Sequence, residues 1–235
     1  MNPSTIHSVP NWDEIELVVF DVDGTLYDQR GLRLCMMQEM LLASVRRREI
    51  RFISILRSYR RIREHLGDSH HEGFEPELVA RTAGAVGCSE QQVRSTAEEW
   101  LERRPLRHLI RYRYPHLPEL FRRLRKHGKT IGIFSDYPAR KKLEALQLDA
   151  DVIVCAGDED VGVLKPHAKG LQVLMSRAAA NPATTIMIGD RAERDGLAAQ
   201  AASVRALILS RKPIGGWQTF DGYNDPLFST AGLLD

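Results

Sequence analysis

Acidic side chains stand where apolar runs stop. Residues 15–20 (IELVVF) lead straight into Asp21, Asp23 and Asp28, with Gly24 and Thr25 between them. Residues 130–134 (TIGIF) stop at Ser135 and Asp136, and residues 152–155 (VIVC) are followed ten positions later by Lys165. Residues 185–188 (TIMI) precede Asp190, with Asp195 five positions further. An Asp after a strand is usually a turn residue or a helix cap. Four such ends meeting at one edge of one sheet are poorly explained as coincidence.

Asp21, Asp190 and Asp195 would crowd three carboxylates together. Like charges that close do not all stay ionised without a counter-charge. A divalent cation supplies one. All-oxygen donors favour a hard ion, and Mg2+ completes its octahedron with water. No Cys or His accompanies the cluster, which argues against zinc. The Ser135 hydroxyl, the Lys165 ammonium, a metal and the loop amides around Gly24 and Thr25 are the parts needed to hold a phosphate. Asp21 is then the candidate nucleophile, forming an aspartyl-phosphate. Asp23 is the candidate acid for the leaving oxygen and the base for a hydrolytic water.

These groups need a scaffold. The first run is β-branched and uninterrupted, which reads as a parallel strand buried on both faces. After residue 115 the pattern alternates: helix 117–127 ended by Gly128, strand 130–134, helix 139–146, strand 152–155, helix 166–178, strand 185–188, helix 195–201 and strand 204–209. Alternation of this kind implies an α/β fold, a Rossmann-like three-layer core around a parallel sheet. Ligands bind beyond the carboxyl ends of such strands. Residues 30–110 offer no strand. Leu34, Met37, Leu41 and Val45 recur at helical spacing, and so do Phe52, Leu56, Tyr59 and Ile62, as one long helix or two closed by Gly67-Asp68. Two more helices follow, 76–86 and 89–101, the latter with Ser89 as N-cap. The expected organisation is a core of 1–29 and 111–235, with an all-helical cap, 30–110, rooted beside the first carboxylates as a lid. Residues 1–13 read as a loose lead-in, and residues 213–235 have no firm assignment.

The chain has 235 residues, 43% hydrophobic and 27% charged. That is enough for a core without disulfides, and it excludes a disordered or fibrous protein. Cys35, Cys88 and Cys155 are too few and too scattered for a disulfide framework or a zinc site, so a reducing cytoplasm is expected. No apolar run reaches membrane-span length, and residues 1–13 lack the features of a signal peptide. Net charge is +2, but residues 30–66 carry ten Arg against three acids, and residues 103–127 carry nine basic residues against Glu119. No lysine occurs between Arg30 and Ile110. Such a surface is ordinarily a solvated helix face; its sharper reading is an anion-collecting one. With 7% aromatics and no nucleic-acid motif, no nucleic-acid partner is expected. The Arg46-Arg47-Arg48 run suits solvent, an anionic tail or lipid headgroups. His70-His71 is expected at a loop tip, Met36, Met37 and Met40 in a helical core, and Cys155 as a buried apolar residue.

FDVDGTLYD (20–28), GIFSD (132–136), LKP (164–166) and IGDRAERDG (188–196) together resemble, in order, the four motifs of the haloacid dehalogenase (HAD) superfamily, in its phosphatase branch. The resemblance implies a Rossmann-like core with a helical cap, Mg2+ and a covalent phospho-aspartate. It makes Asp21 nucleophile and metal ligand, and Asp23 general acid/base with its carbonyl on the metal. Ser135 would bind the phosphoryl group, Lys165 would steady Asp21 and the phosphate, Asp190 would bind the metal, and Asp195 would bind it or anchor its waters. Two positions depart from the pattern: Asp136 stands where Asn is frequent, and Leu164 precedes Lys165 where Gly is common. Dehalogenases of the superfamily lack an acid at the position of Asp23, and phosphonate hydrolysis uses a cap lysine that this cap does not have. The expectation is a phosphatase for a small phosphate monoester, which the arginine surplus suggests carries a second anionic group. A phosphomutase on the same core, or a non-catalytic protein docking through the basic cap, are the alternatives.

Overall fold

The computed structural model describes residues 9–47 and 50–228; Arg48, residues 1–8 of the lead-in and residues 229–235 lie outside them. β1 (Leu17–Phe20) sits at the centre of a six-stranded sheet with β2 (Thr130–Ser135), β3 (Val152–Cys155), β4 (Thr185–Gly189), β5 (Arg205–Leu209) and β6 (Gln218–Phe220). The order is β3-β2-β1-β4-β5-β6, with every pair parallel. The fold is therefore the expected Rossmann-like α/β core.

Strand residues alternate between two apolar layers, as a period of two requires. Val18, Phe20, Ile133 and Ile188 pack with Leu120, Phe121 and Leu124 of α6 (Leu117–Lys126) on one face. Leu17, Val19, Phe134 and Met187 pack on the other with Leu171 and Leu174 of α8 (Lys169–Arg177) and with α9 (Leu197–Ala201). Each fully buried chain of this size contributes about 1.5–3 kcal/mol.

Between β1 and α6 stand α1 (Gln29–Arg47), α2 (Arg51–Asp68), α3 (Phe74–Val86), α4 (Glu90–Ala97) and α5 (Arg104–Tyr112). The long periodic stretch is thus two helices. Ser89 caps α4 through a reciprocal pair with Gln92, and a π-helical stretch, Glu98–Arg103, carries the chain on into α5. α7 (Arg140–Leu146) follows β2.

The periodic set on α1 is not its core face. Leu34, Met37, Leu41 and Val45 face solvent, while Leu32 and Met36 are buried. Met37 therefore departs from the expected core trio. Two registers of aliphatics share this helix, and periodicity gives no sign of which one turns inward. The helix expected from Pro166 starts later: Lys165 and Pro166 lie in a loop ahead of α8. His70 and His71 do lie in a loop, and Cys155 is half-buried. The unassigned C-terminal stretch adds β6 to the sheet edge and sends Tyr223 back beneath the first carboxylate loop. Its hydroxyl donates to the Thr25 carbonyl at 2.7 Å.

Candidate active site

Register brings the acids together. Phe20 pairs with Ile133 on one side and Ile188 on the other, so the residues beyond these strand ends emerge at one level. The Asp21 amide donates to the Ile188 carbonyl at 2.9 Å, which fixes where its side chain starts. Asp21, Asp190 and Asp195 each present a carboxylate oxygen within 4.8 Å of the others.

Lys165 lies among them. Its ammonium donates to Asp21 Oδ1 at 2.5 Å, to Asp195 Oδ1 at 2.6 Å and to the Phe134 carbonyl at 3.3 Å. The second oxygen of Asp21 accepts from the Thr25 hydroxyl at 2.9 Å. One ammonium among three carboxylates leaves two negative charges. Burial raises the Asp21 carboxyl to about 6 despite Lys165, and Asp195 and Asp23 add repulsion. Burial together with Asp21 and Asp195 raises Asp190 to about 8. Lys165 is held well above its ordinary value: burial opposes its charge, but Asp195 and Asp21 more than offset that.

The side-chain oxygen Asp190 Oδ1 is buried without a partner. Gly24, with φ at +104°, lets the chain pass close by. A Cβ there would stand 2.2 Å from Asp190 Oδ2. An orphaned carboxylate oxygen, two unbalanced negative charges and an all-oxygen donor set fit a hard divalent cation. A second cluster, Cys35, Glu39 and His108, offers mixed donors. Its carboxylate is already bound to Arg104, Arg107 and His108, which leaves a cation little to gain.

Asp195 reaches the cluster but has both oxygens engaged. Oδ2 accepts from the amides of Asp190 and Arg191 at 3.2 and 3.0 Å. It shapes the loop that carries Asp190. Asp136 Oδ1 accepts from the Lys165 amide at 3.0 Å and its carbonyl accepts from Arg63, while the residue also lines the cavity that holds Asp21 and Asp23. Its carboxylate fixes the lysine loop. Ser135 is fully buried, and its hydroxyl accepts from the Tyr137 amide at 3.2 Å.

Asp23 has partners that sequence reasoning missed. Lys142, on α7, donates to both of its oxygens at 2.6 Å, and the Tyr27 hydroxyl donates to one. Burial alone would raise Asp23; the Lys142 ammonium and these hydrogen bonds hold it below the usual carboxylate value. The first lysines after the cap, Lys126, Lys129, Lys141 and Lys142, were the available signal, but contact across 119 positions is not visible in spacing.

The cap closes over this edge. α2 ends against the fourth motif, where Arg194 binds the Lys165 carbonyl at 2.8 Å, Glu64 Oε2 at 2.7 Å and Asp68 Oδ1 at 2.6 Å. Gly67 leaves room for that guanidinium, since a Cβ would come 2.5 Å from Arg194 Nη1. Arg63 is no solvated residue: it is buried against Tyr137 and Phe74, 4.1 and 4.9 Å from the ring centroids. Leu164, the departure at the third motif, packs with Leu66, Phe74 and Leu78 and joins cap to core. A cavity of about 390 Å³ remains between them, lined by Asp21, Asp23, Lys142, Lys165, Asp190 and the cap's Arg33, Arg60 and Met36 among others.

The family model for haloacid dehalogenase-like hydrolases matches residues 15–203. Among solved structures, a 2-haloacid dehalogenase from Pseudomonas syringae pv. Tomato is 19% identical with a TM-score of 0.61, over 89% of this chain and 95% of that one. A HAD phosphatase from Thermococcus onnurineus is 18% identical with a TM-score of 0.55, over 92% and 95%. The HAD-hydrolase YfnB from Bacillus subtilis, bound to magnesium, is 18% identical with a TM-score of 0.62, over 88% and 95%. Comparison with curated protein sequences gives no match. At these identities the structures speak for the fold, while the family model spans most of the chain and the four motifs it contains. The chain belongs to the haloacid dehalogenase-like hydrolase family.

Proposed function

We propose that the protein is a Mg2+-dependent phosphatase that hydrolyses a phosphate monoester through a covalent aspartyl-phosphate. The observation that carries this reading is Asp23: a second acid in the cavity, held by Lys142 and Tyr27. A dehalogenase has no use for it, whereas ester cleavage needs a group that moves a proton to the leaving oxygen.

Asp21 is the nucleophile. Thr25 and Lys165 hold one oxygen each, so the carboxylate is aimed before substrate arrives. Its attack on phosphorus breaks the bond to the ester oxygen, which leaves with a proton from Asp23. In the absence of substrate Asp23 is an ionised carboxylate; an incoming phosphate dianion raises its proton affinity by like-charge repulsion. Once the alcohol has left, Asp23 takes a proton from water, which attacks the acyl-phosphate and restores Asp21. Lys142 steadies the charge on Asp23 through both steps. Asp21, Asp190 and the Asp23 carbonyl would hold Mg2+, which supplies positive charge against the phosphoryl oxygens. Asp195 positions Lys165 and the Asp190 loop. Arg33 and Arg60 line the cavity and suit a second anionic group on the substrate. Three free thiols support a reducing compartment, the cytoplasm, as its location.

Phosphate release from a panel of esters with Mg2+ tests the reading. Asp21→Asn should abolish turnover with the fold intact by circular dichroism. Retained turnover refutes the nucleophile. Halide release from a 2-haloacid in place of phosphate release refutes the reaction class.

A further inference from the structure

α1 is apolar on two opposite sides. Leu32, Met36 and Met40 turn toward the cavity. Leu34, Met37, Leu41 and Val45 turn outward, 62, 62, 66 and 70% exposed. Steps of three or four residues keep these four on one stripe. Leu42 widens it, and Ile50, just ahead of α2, is bare as well. Large aliphatics gathered on one helix face mark an interaction surface.

Exposed cations are carried by α1 itself and by the next helix in the chain. Arg30 and Arg46 on α1 are exposed, as are Arg51, Arg57 and Arg61 on α2. Among the described residues no carboxylate forms an ion pair with any of them. The nearby acids are engaged elsewhere: Glu39 with Arg104 and Arg107, and Glu64 with Arg191 and Arg194. A second copy of this chain would bring two arginine-rich faces together, which like-charge repulsion opposes. An anionic lipid surface matches both features, with hydrocarbon for the stripe and headgroups for the guanidinium groups.

The stripe also runs into the cavity. Met37 belongs to both, and beside it Leu32, Met36, Met40, Trp100 and Leu101 form an apolar wall. Asp21, Asp23, Asp190 and Lys165 form the polar end of the same cavity. A compact, fully polar phosphate ester would leave that wall unused. We propose that α1 lies on an anionic bilayer surface and that the substrate is a lipid-borne phosphate monoester. Its hydrocarbon rests on the methionine wall, and its phosphate reaches Asp21. The reaction leaves a lipid hydroxyl and inorganic phosphate. The substrate half of this inference rests on the phosphatase reading above; the surface half does not.

Sedimentation of the whole chain with vesicles tests it. Binding is expected to vesicles containing phosphatidylglycerol and not to phosphatidylcholine alone, weakening as salt rises. Leu41→Glu/Val45→Glu, at two exposed positions outside the cavity lining, should weaken vesicle binding and turnover of vesicle-embedded phosphatidic acid about tenfold or more. The same variant should keep wild-type turnover of dissolved para-nitrophenyl phosphate, which also shows that it is folded. Wild-type protein that stays in the supernatant with every vesicle overturns the docking surface. So does a wild-type dimer that the variant converts to monomer without any change in lipid binding. Bound wild type that hydrolyses para-nitrophenyl phosphate but not phosphatidic acid overturns the lipid substrate. Bound wild type that hydrolyses neither refutes the phosphatase reading itself.

Discussion

Asp190→Asn isolates the charge imbalance at the site. In the metal-free protein the Asp190 carboxyl is raised from 3.8 to about 8 by burial and by Asp21 and Asp195. A carboxyl whose folded value lies above its unfolded value binds more protons folded than unfolded. Metal-free stability must therefore fall as pH rises from about 4 and level off above about 8. At ~1.4 kcal/mol per unit the full shift corresponds to roughly 6 kcal/mol. Asp190 keeps some solvent access and shares the repulsion with Asp21, so we expect about 2 kcal/mol. For a chain of this length that is about 4–8 °C in melting temperature. The assay is thermal unfolding with EDTA at about pH 5 and about pH 9, for wild type and Asp190→Asn. Wild type should lose those degrees relative to the variant at the higher pH. Mg2+ at about a hundred times its dissociation constant should stabilise wild type by about 2.7 kcal/mol. It should leave the variant nearly unmoved. Parallel pH curves, or equal stabilisation by Mg2+, would show that the three carboxylates carry no such tension and that the cation site is misassigned.

Two further outcomes follow from the geometry. Lys142→Met removes the ammonium that holds Asp23 low, so burial should raise its carboxyl and move the acid limb of the pH–rate profile up by about one unit or more. A uniform loss of rate with an unmoved limb would make Lys142 a packing residue only. Gly24→Ala forces a Cβ into the Asp190 carboxylate at a backbone conformation that alanine disfavours. Turnover should fall about a hundredfold or more together with the Mg2+-induced shift in melting temperature, and normal values of both would refute the close approach.

The readable part of the site is local. Asp21 and Asp23 sit in one short loop, Asp190 and Asp195 in another, and β-branched runs announce the strands that present them. Parallel pairing then obliges those loops to share an edge, because strands of a parallel sheet all end on the same side. What sequence left open depends on contacts between distant positions. Lys142 reaches Asp23 across 119 residues and Tyr223 supports the Thr25 carbonyl across 198. No periodicity encodes either. That the Asp136 carboxylate accepts the Lys165 amide across 29 positions is likewise a matter of tertiary contact.

The cap shows the same division. Its helical content follows from the spacing of Leu34, Met37, Leu41 and Val45 as readily as from that of Leu32 and Met36. Which row is buried is set by what α1 packs against, α5 and the core cluster that includes the Phe52–Trp100 stack, whose ring centroids are 4.9 Å apart. Sequence thus determined the class of the fold and the order of its strands' acidic ends. Tertiary packing decided which arginines were buried, which aliphatics were left bare and which lysine holds the second acid. Chain periodicity fixes the faces of a helix, but only its neighbours in space determine which face meets water.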